Sequence, residues 1–164
     1  TLMAETVRNT WSMIAVSFVF ALMLAVFPVS IEVRWVRPEF VALLSIYWAM
    51  YLPHRIGPGV LWVLGILQDV VEGTPLGLHA LGLVVIAYIC LLSYQRLRNF
   101  ETWQQAFWVF VLVGIHQLFG NWVHSLSGND APVFLFLLPA FSSALCWPVL
   151  VFLLDRLRIR YRIN

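Results

Sequence analysis

Lysine is absent from this chain of 164 residues, and charge of either sign is scarce: ten basic residues, all arginine, stand against eight acidic ones. Without lysine there is no Schiff base, no P-loop and no lysine nucleophile. Only 11% of the residues are charged and 62% are hydrophobic, where soluble domains carry about 25% charged and about 45–50% apolar residues. With a mean hydropathy of +0.87, the composition is that of an integral membrane protein with one polytopic domain. A net charge of +2, dispersed along the chain, excludes a nucleic-acid partner. Cysteine is nearly missing too. Cys90 and Cys146 fall inside apolar runs, where a thiol behaves as a small hydrophobe and neither a disulfide framework nor a metal site follows. No cofactor is implied.

What is present is a series of hydrophobic runs punctuated by proline, glycine and arginine. The predicted fold is all-α: a compact bundle of six transmembrane helices, at about 11–27, 39–52, 57–73, 76–94, 103–126 and 133–154, followed by a basic tail over 155–164. The run after Arg8 ends in Phe27-Pro28-Val29 and not in a small-residue cleavage site, so it reads as a retained helix. The second run is bracketed by Pro38 and Pro53 and, at about 21 Å, is short against a hydrocarbon core of about 30 Å; it either borrows length or re-enters. Arginine placement orients the bundle. Arg8, Arg55, Arg96, Arg98, Arg156, Arg158, Arg160 and Arg162 fall on one side and Arg34 and Arg37 on the other. Arg55, Arg96, Arg98 and the C-terminus are therefore expected to be cytoplasmic, and with six spans the N-terminus as well. Aromatic residues near the run ends form the interfacial belt.

One stretch stands out as the expected organising element. Gly57, Leu61, Gly65, Asp69 and Gly73 recur every four residues, which puts them on one helix face. Small residues on such a stripe let another backbone approach closely, and a carboxylate inside it requires a partner. As a functional residue Asp69 could hold a contact, a cation or a proton; as a structural one it caps the Thr74-Pro75 turn or pairs with Arg34 or Arg37. Arg37 is equally a candidate partner for Glu72. Glu39, in the first turn after Pro38, reads as a helix-dipole cap. His116 and His124 sit eight residues apart on one helix, about 12 Å along its axis and too far to share a metal. They and His79 read as packed or hydrogen-bonded histidines, and His54 as interfacial. Ser127 beside His124 lacks a third member for nucleophilic catalysis.

Taken in order, Arg37-Pro38-Glu39-Phe40, Tyr47-Trp48, Pro53-His54-Arg55 and Gly65-x-x-x-Asp69-x-x-x-Gly73-x-x-Leu76-Gly77 resemble the rod shape-determining MreD family. Trp103-Gln104-Gln105 and Trp147-Pro148 resemble its proteobacterial members. The resemblance covers the chain from Trp11 to the tail. It implies a non-enzymatic inner-membrane scaffold of the cell-elongation machinery, working with the single-span protein MreC. Through MreC it implies links to MreB, to RodA and to the elongation penicillin-binding transpeptidase. It also implies a bundle similar to the substrate-binding S components of energy-coupling vitamin transporters. That last likeness supplies the competing function, solute binding for transport, for which Asp69, Glu72, His79, Asn121 and His124 are a thin set of polar groups. The 57–73 face is expected to accept either the transmembrane helix of MreC or a neighbouring helix of this chain, with self-association also open. If it accepts MreC, changing Asp69 or Gly65 weakens association more than folded yield.

Overall fold

The computed structural model describes residues 2–126, 128 and 133–161; Ser127, Asp130 and Arg162 lie outside them. Seven helices and no strand occur among the described residues: α1 (Leu2–Val26), α2 (Ile31–Arg34), α3 (Phe40–Tyr51), α4 (Pro58–Glu72), α5 (Leu78–Asn99), α6 (Thr102–Leu126) and α7 (Val133–Arg160). Their boundaries follow the local chemistry. Gly57 precedes α4 with Pro58 in its first turn, where the missing N–H costs nothing. Gly73 closes the same helix in the left-handed conformation at φ +70°, and its N–H and that of Thr74 both return to the Asp69 carbonyl. The last expected run continues as helix past Leu154 and carries Arg156, Arg158 and Arg160 on its final turns.

The centre of the bundle is α3, and this corrects the expectation that the 57–73 helix is central. Ten of the 12 residues of α3 are buried, on every face. A helix apolar all round is stable only when surrounded, and α3 packs against α1, α5, α6 and α7. Leu43, Tyr47, Trp48 and Ala49 are fully enclosed. By contrast α4 buries one stripe, Leu61, Gly65, Gln68 and Asp69, and turns Trp62, Val63, Leu67 and Val70 outward.

The outward faces of the long helices are apolar. On α1 they carry Val16, Val19, Phe20 and Met23, and on α7 Phe141, Leu145, Val149 and Phe152. An exterior of this kind suits a hydrocarbon environment, in which the interior gains its stability from close packing and internal polar contacts. Where α4 meets α5 the two backbones pack closely. A Cβ added at Gly65 would overlap the backbone of Ala80.

Candidate functional site

At one end of the bundle the start of α3, the end of α4, the start of α5 and the middle of α6 converge on a polar cluster. Asp69 is its anchor. Its Oδ1 accepts hydrogen bonds from Thr74 Oγ1 (2.8 Å), His79 N (3.0 Å) and His79 Nδ1 (2.7 Å), and its Oδ2 accepts from Gly77 N (2.9 Å). The Gly73–Gly77 turn exists to make this possible. Gly73 and Gly77 both take positive φ, +70° and +99°, which only glycine adopts freely, and the chain then doubles back to aim two amides at one carboxylate. Of the two structural readings open to Asp69, the turn-capping one is realised. No arginine is among its partners. Arg37 instead donates to the carbonyls of Ala25 and Phe27, satisfying the end of α1.

Beyond the Asp69–His79 pair lies a cavity of about 190 Å³ lined by Glu39, Glu72, His79, His116, Gln117 and His124 among others. His79 Nε2 stands 3.4 Å from Glu72 Oε2. Glu39 Oε1 accepts from Gln117 Nε2 at 2.9 Å, while the Glu39 backbone N–H donates to Ser143 Oγ at 2.9 Å. Glu39 stands at the N-cap of α3, where the helix dipole favours its charge, but its side chain makes no capping bond to α3; the carboxylate is turned towards α6 and Gln117. His116 is buried, its ring lies against Gly82 where a Cβ would overlap it, and its Nδ1 has no hydrogen-bond partner. The ring centroids of His79 and His116 are 5.5 Å apart.

The opposite end of α3 is built differently. Tyr47 Oη donates to Asp155 Oδ1 at 2.5 Å, and Arg158 reaches the same oxygen at 3.5 Å. The Arg158 guanidinium lies 4.1 Å from the centre of the Tyr51 ring, with Arg98 at 6.0 Å from that ring. Trp147 donates to Gln105, which donates to the Leu97 carbonyl. Arg55 sits over Trp11 and Arg156 over Phe152, whereas Arg96 and Arg160 are simply exposed.

The residues singled out in the sequence thus divide. In the stripe, Leu61, Gly65 and Asp69 face inward against α5, and Gly57 and Gly73 are end residues of α4 with open space where a side chain would stand. Of the motif residues, Tyr47 and Trp48 are core, the latter donating to Ser17. Arg37 and Pro38 form the entry to α3, Pro53 the turn that leaves it, and Leu76 and Gly77 the turn around Asp69. The grouping of Glu39 and His116 with His79, and the Gln117 bond that holds Glu39, are what sequence reasoning missed.

A second, larger concavity lies on the side of the bundle. Helices α1 and α7 flank α3 without closing on each other, leaving an apolar cleft of about 840 Å³ lined by Val16, Phe20, Phe40, Leu44, Leu145 and Val149 among others.

These features define an all-helical membrane protein in which, among the described residues, Leu2–Val26, Leu78–Asn99, Thr102–Leu126 and Leu137–Arg160 are long and apolar enough to cross a bilayer. A family profile described as rod shape-determining protein MreD matches residues 6–157, and the chain belongs to that family. It is similar to the rod shape-determining protein MreD of Haemophilus influenzae, with 29% identity over 154 residues covering 94% of this chain and 95% of the other. No solved structure matches it. Its class is therefore that of a rod shape-determining membrane protein.

Proposed function

We propose that this chain is a non-enzymatic scaffold of the cell-elongation complex in the bacterial inner membrane, and that the cleft between α1 and α7 receives the single transmembrane helix of MreC. The cleft carries this reading. It reaches Phe40 and Leu44 of the central helix at its floor, and almost all of its lining is apolar. A helix seated there gains packing contacts with three elements at once, the kind of contact that drives association in lipid. The glycine stripe of α4 contributes indirectly, since α5 already fills it at Gly65.

In this reading the chain is one polytopic domain that crosses six times. At 12 and 15 residues, α3 and α4 are about 18 and 22 Å long and short of a full span. They still run between the two polar ends, α3 from Glu39 to the Tyr51–Arg158 contact and α4 back to Asp69. Arg55, Arg98 and Arg158 then face the cytoplasm together with both termini, and the Glu39 end faces outward. MreB, RodA and the transpeptidase are reached through MreC. The competing role, an S-type subunit binding a solute, would have to use the polar cavity. Its volume of about 190 Å³ is below the roughly 300–1,000 Å³ of small-molecule sites.

Single cysteines at Val16 and Val149, placed in an otherwise cysteine-free chain, are expected to crosslink to the MreC transmembrane helix, while one at Val70 on the outer face of α4 is not. Crosslinking through Val70 with none through Val16 or Val149 would move the interface to α4. Copurification of ATPase subunits in place of MreC would favour transport.

A further inference from the structure

We propose that Glu39, His79 and His116 are the ligands of a divalent transition-metal ion of the zinc type, with Glu72 at the fourth position. One donor atom from each of the first three lies within 4.8 Å of the other two. An ion at the centre of that triangle is at most about 2.8 Å from each donor, so a tightening of under about 1 Å reaches the roughly 2.0–2.2 Å of Zn–N and Zn–O bonds.

The second observation is how His79 is held. Its Nδ1 lies 2.7 Å from Asp69 Oδ1, an acceptor that already takes the His79 backbone N–H. That carboxylate engages Nδ1 and leaves Nε2 as the ring nitrogen that faces the cavity, the arrangement that orients a metal-bound histidine. The same Nε2 is 3.4 Å from Glu72 Oε2. A cation standing between Nε2 and that carboxylate would be held from both sides. Neither lysine nor arginine lines the cavity. Gln117 orients Glu39 from α6, and His116 is a buried imidazole whose Nδ1 has no hydrogen-bond partner among the described residues, a nitrogen whose burial costs free energy until something binds it.

The donor set is two imidazoles and carboxylate oxygens. It suits zinc and its first-row neighbours, and without a thiolate it does not suit copper(I). The volume fits an ion with a water and little more. Bound there, the ion joins α3, α4, α5 and α6 at the end where their polar groups meet. This inference is independent of where MreC docks.

The test is the metal content of tag-free protein purified in mild detergent, stripped with chelator, reloaded with Zn²⁺ and desalted. One equivalent of retained zinc is expected, with a rise in Tm on loading and four-coordinate ligand-field bands when Co²⁺ replaces Zn²⁺. Glu39→Gln and His116→Gln should lose stoichiometric retention. Asp69→Asn, which removes no ligand, should weaken affinity about 10–100-fold through the orientation of His79. A folded wild-type chain that retains no zinc and shows no Co²⁺ bands overturns the proposal, whatever the variants do. Retention that is equal in wild type and both ligand variants overturns it as well.

Discussion

The two ends of α3 solve the same difficulty, a carboxylate inside an apolar bundle, in opposite ways. At the Asp155 end the partly exposed acid has its charge matched: Tyr47 donates to it, Arg158 pairs with it, and the guanidinium is stacked on Tyr51. At the Glu39 end two carboxylates, Glu39 and Glu72, and three histidines, His79, His116 and His124, meet around a cavity, with Asp69 behind His79 and no arginine among the described residues that line it. The buried side-chain atoms without a hydrogen-bond partner among the described residues are Gln68 Oε1, His116 Nδ1 and Asn121 Oδ1, and all belong to that half. Buried polar atoms left unpaired destabilise a bundle. One end is therefore made for cohesion, whereas the other keeps donors and acceptors available. The difference locates function more sharply than burial alone, because Tyr47 and Asp69 are equally enclosed.

The comparison can be broken most severely at its packing. Gly65→Leu places carbon atoms where the Ala80 backbone lies. Overpacking usually costs about 1–3 kcal/mol, and here the obstacle is main chain, which cannot rotate away, so the cost exceeds that range. Folded yield by fluorescence-detected size exclusion should collapse, with loss of MreC association only as a consequence. This reverses the order expected if the stripe were a partner's groove. Yield at wild-type level would mean that α4 and α5 separate easily and that the stripe is open to a partner.

Asp69→Ala comes next and separates the two ends. It strips acceptors from the Gly77 and His79 amides and from the His79 ring, and each buried donor left unpaired costs about 1–3 kcal/mol. A total of at least about 3 kcal/mol is expected in thermal melts, Asp69→Asn losing less because one oxygen remains. An effect below about 1 kcal/mol would mean that water reaches the turn and that Asp69 does not anchor it.

Much of this was legible in the sequence, for identifiable reasons. Proline and glycine marked the helix ends because their backbone limits are local: Pro58 opens α4, and Gly73 and Gly77 turn the chain around Asp69. Spacing put Leu61, Gly65 and Asp69 on one face, and they share it. The central place of α3 was hidden, since twelve apolar residues without a polar face are the same in a short span, a re-entrant segment or a core helix. The Glu39–His79–His116 cluster was hidden for another reason. Its members lie on three helices, and comparing His116 with His124 on the same helix tests only the neighbours that helical geometry provides. The available signal was weaker: Glu39 and His79 both open runs that start at the same end.

The smallest effect expected is also the one that tests whether the two ends act independently. Tyr47→Phe removes the phenol from Asp155, but Arg158 remains at 3.5 Å, so no buried charge is left alone. The loss should sit at the low end for hydrogen bonds to charged groups, about 1.5 kcal/mol, seen as a Tm a few degrees lower. Zinc retention should not change, because Tyr47 lies two turns along α3 from Glu39 and touches none of the cavity. Combined with Asp69→Ala, the two losses should add within about 0.3–0.5 kcal/mol, as they do for distant sites without shared partners. A larger departure in the double variant would mean that α3 shifts as a rigid rod, so that disturbing its cohesive end moves Glu39 at the other.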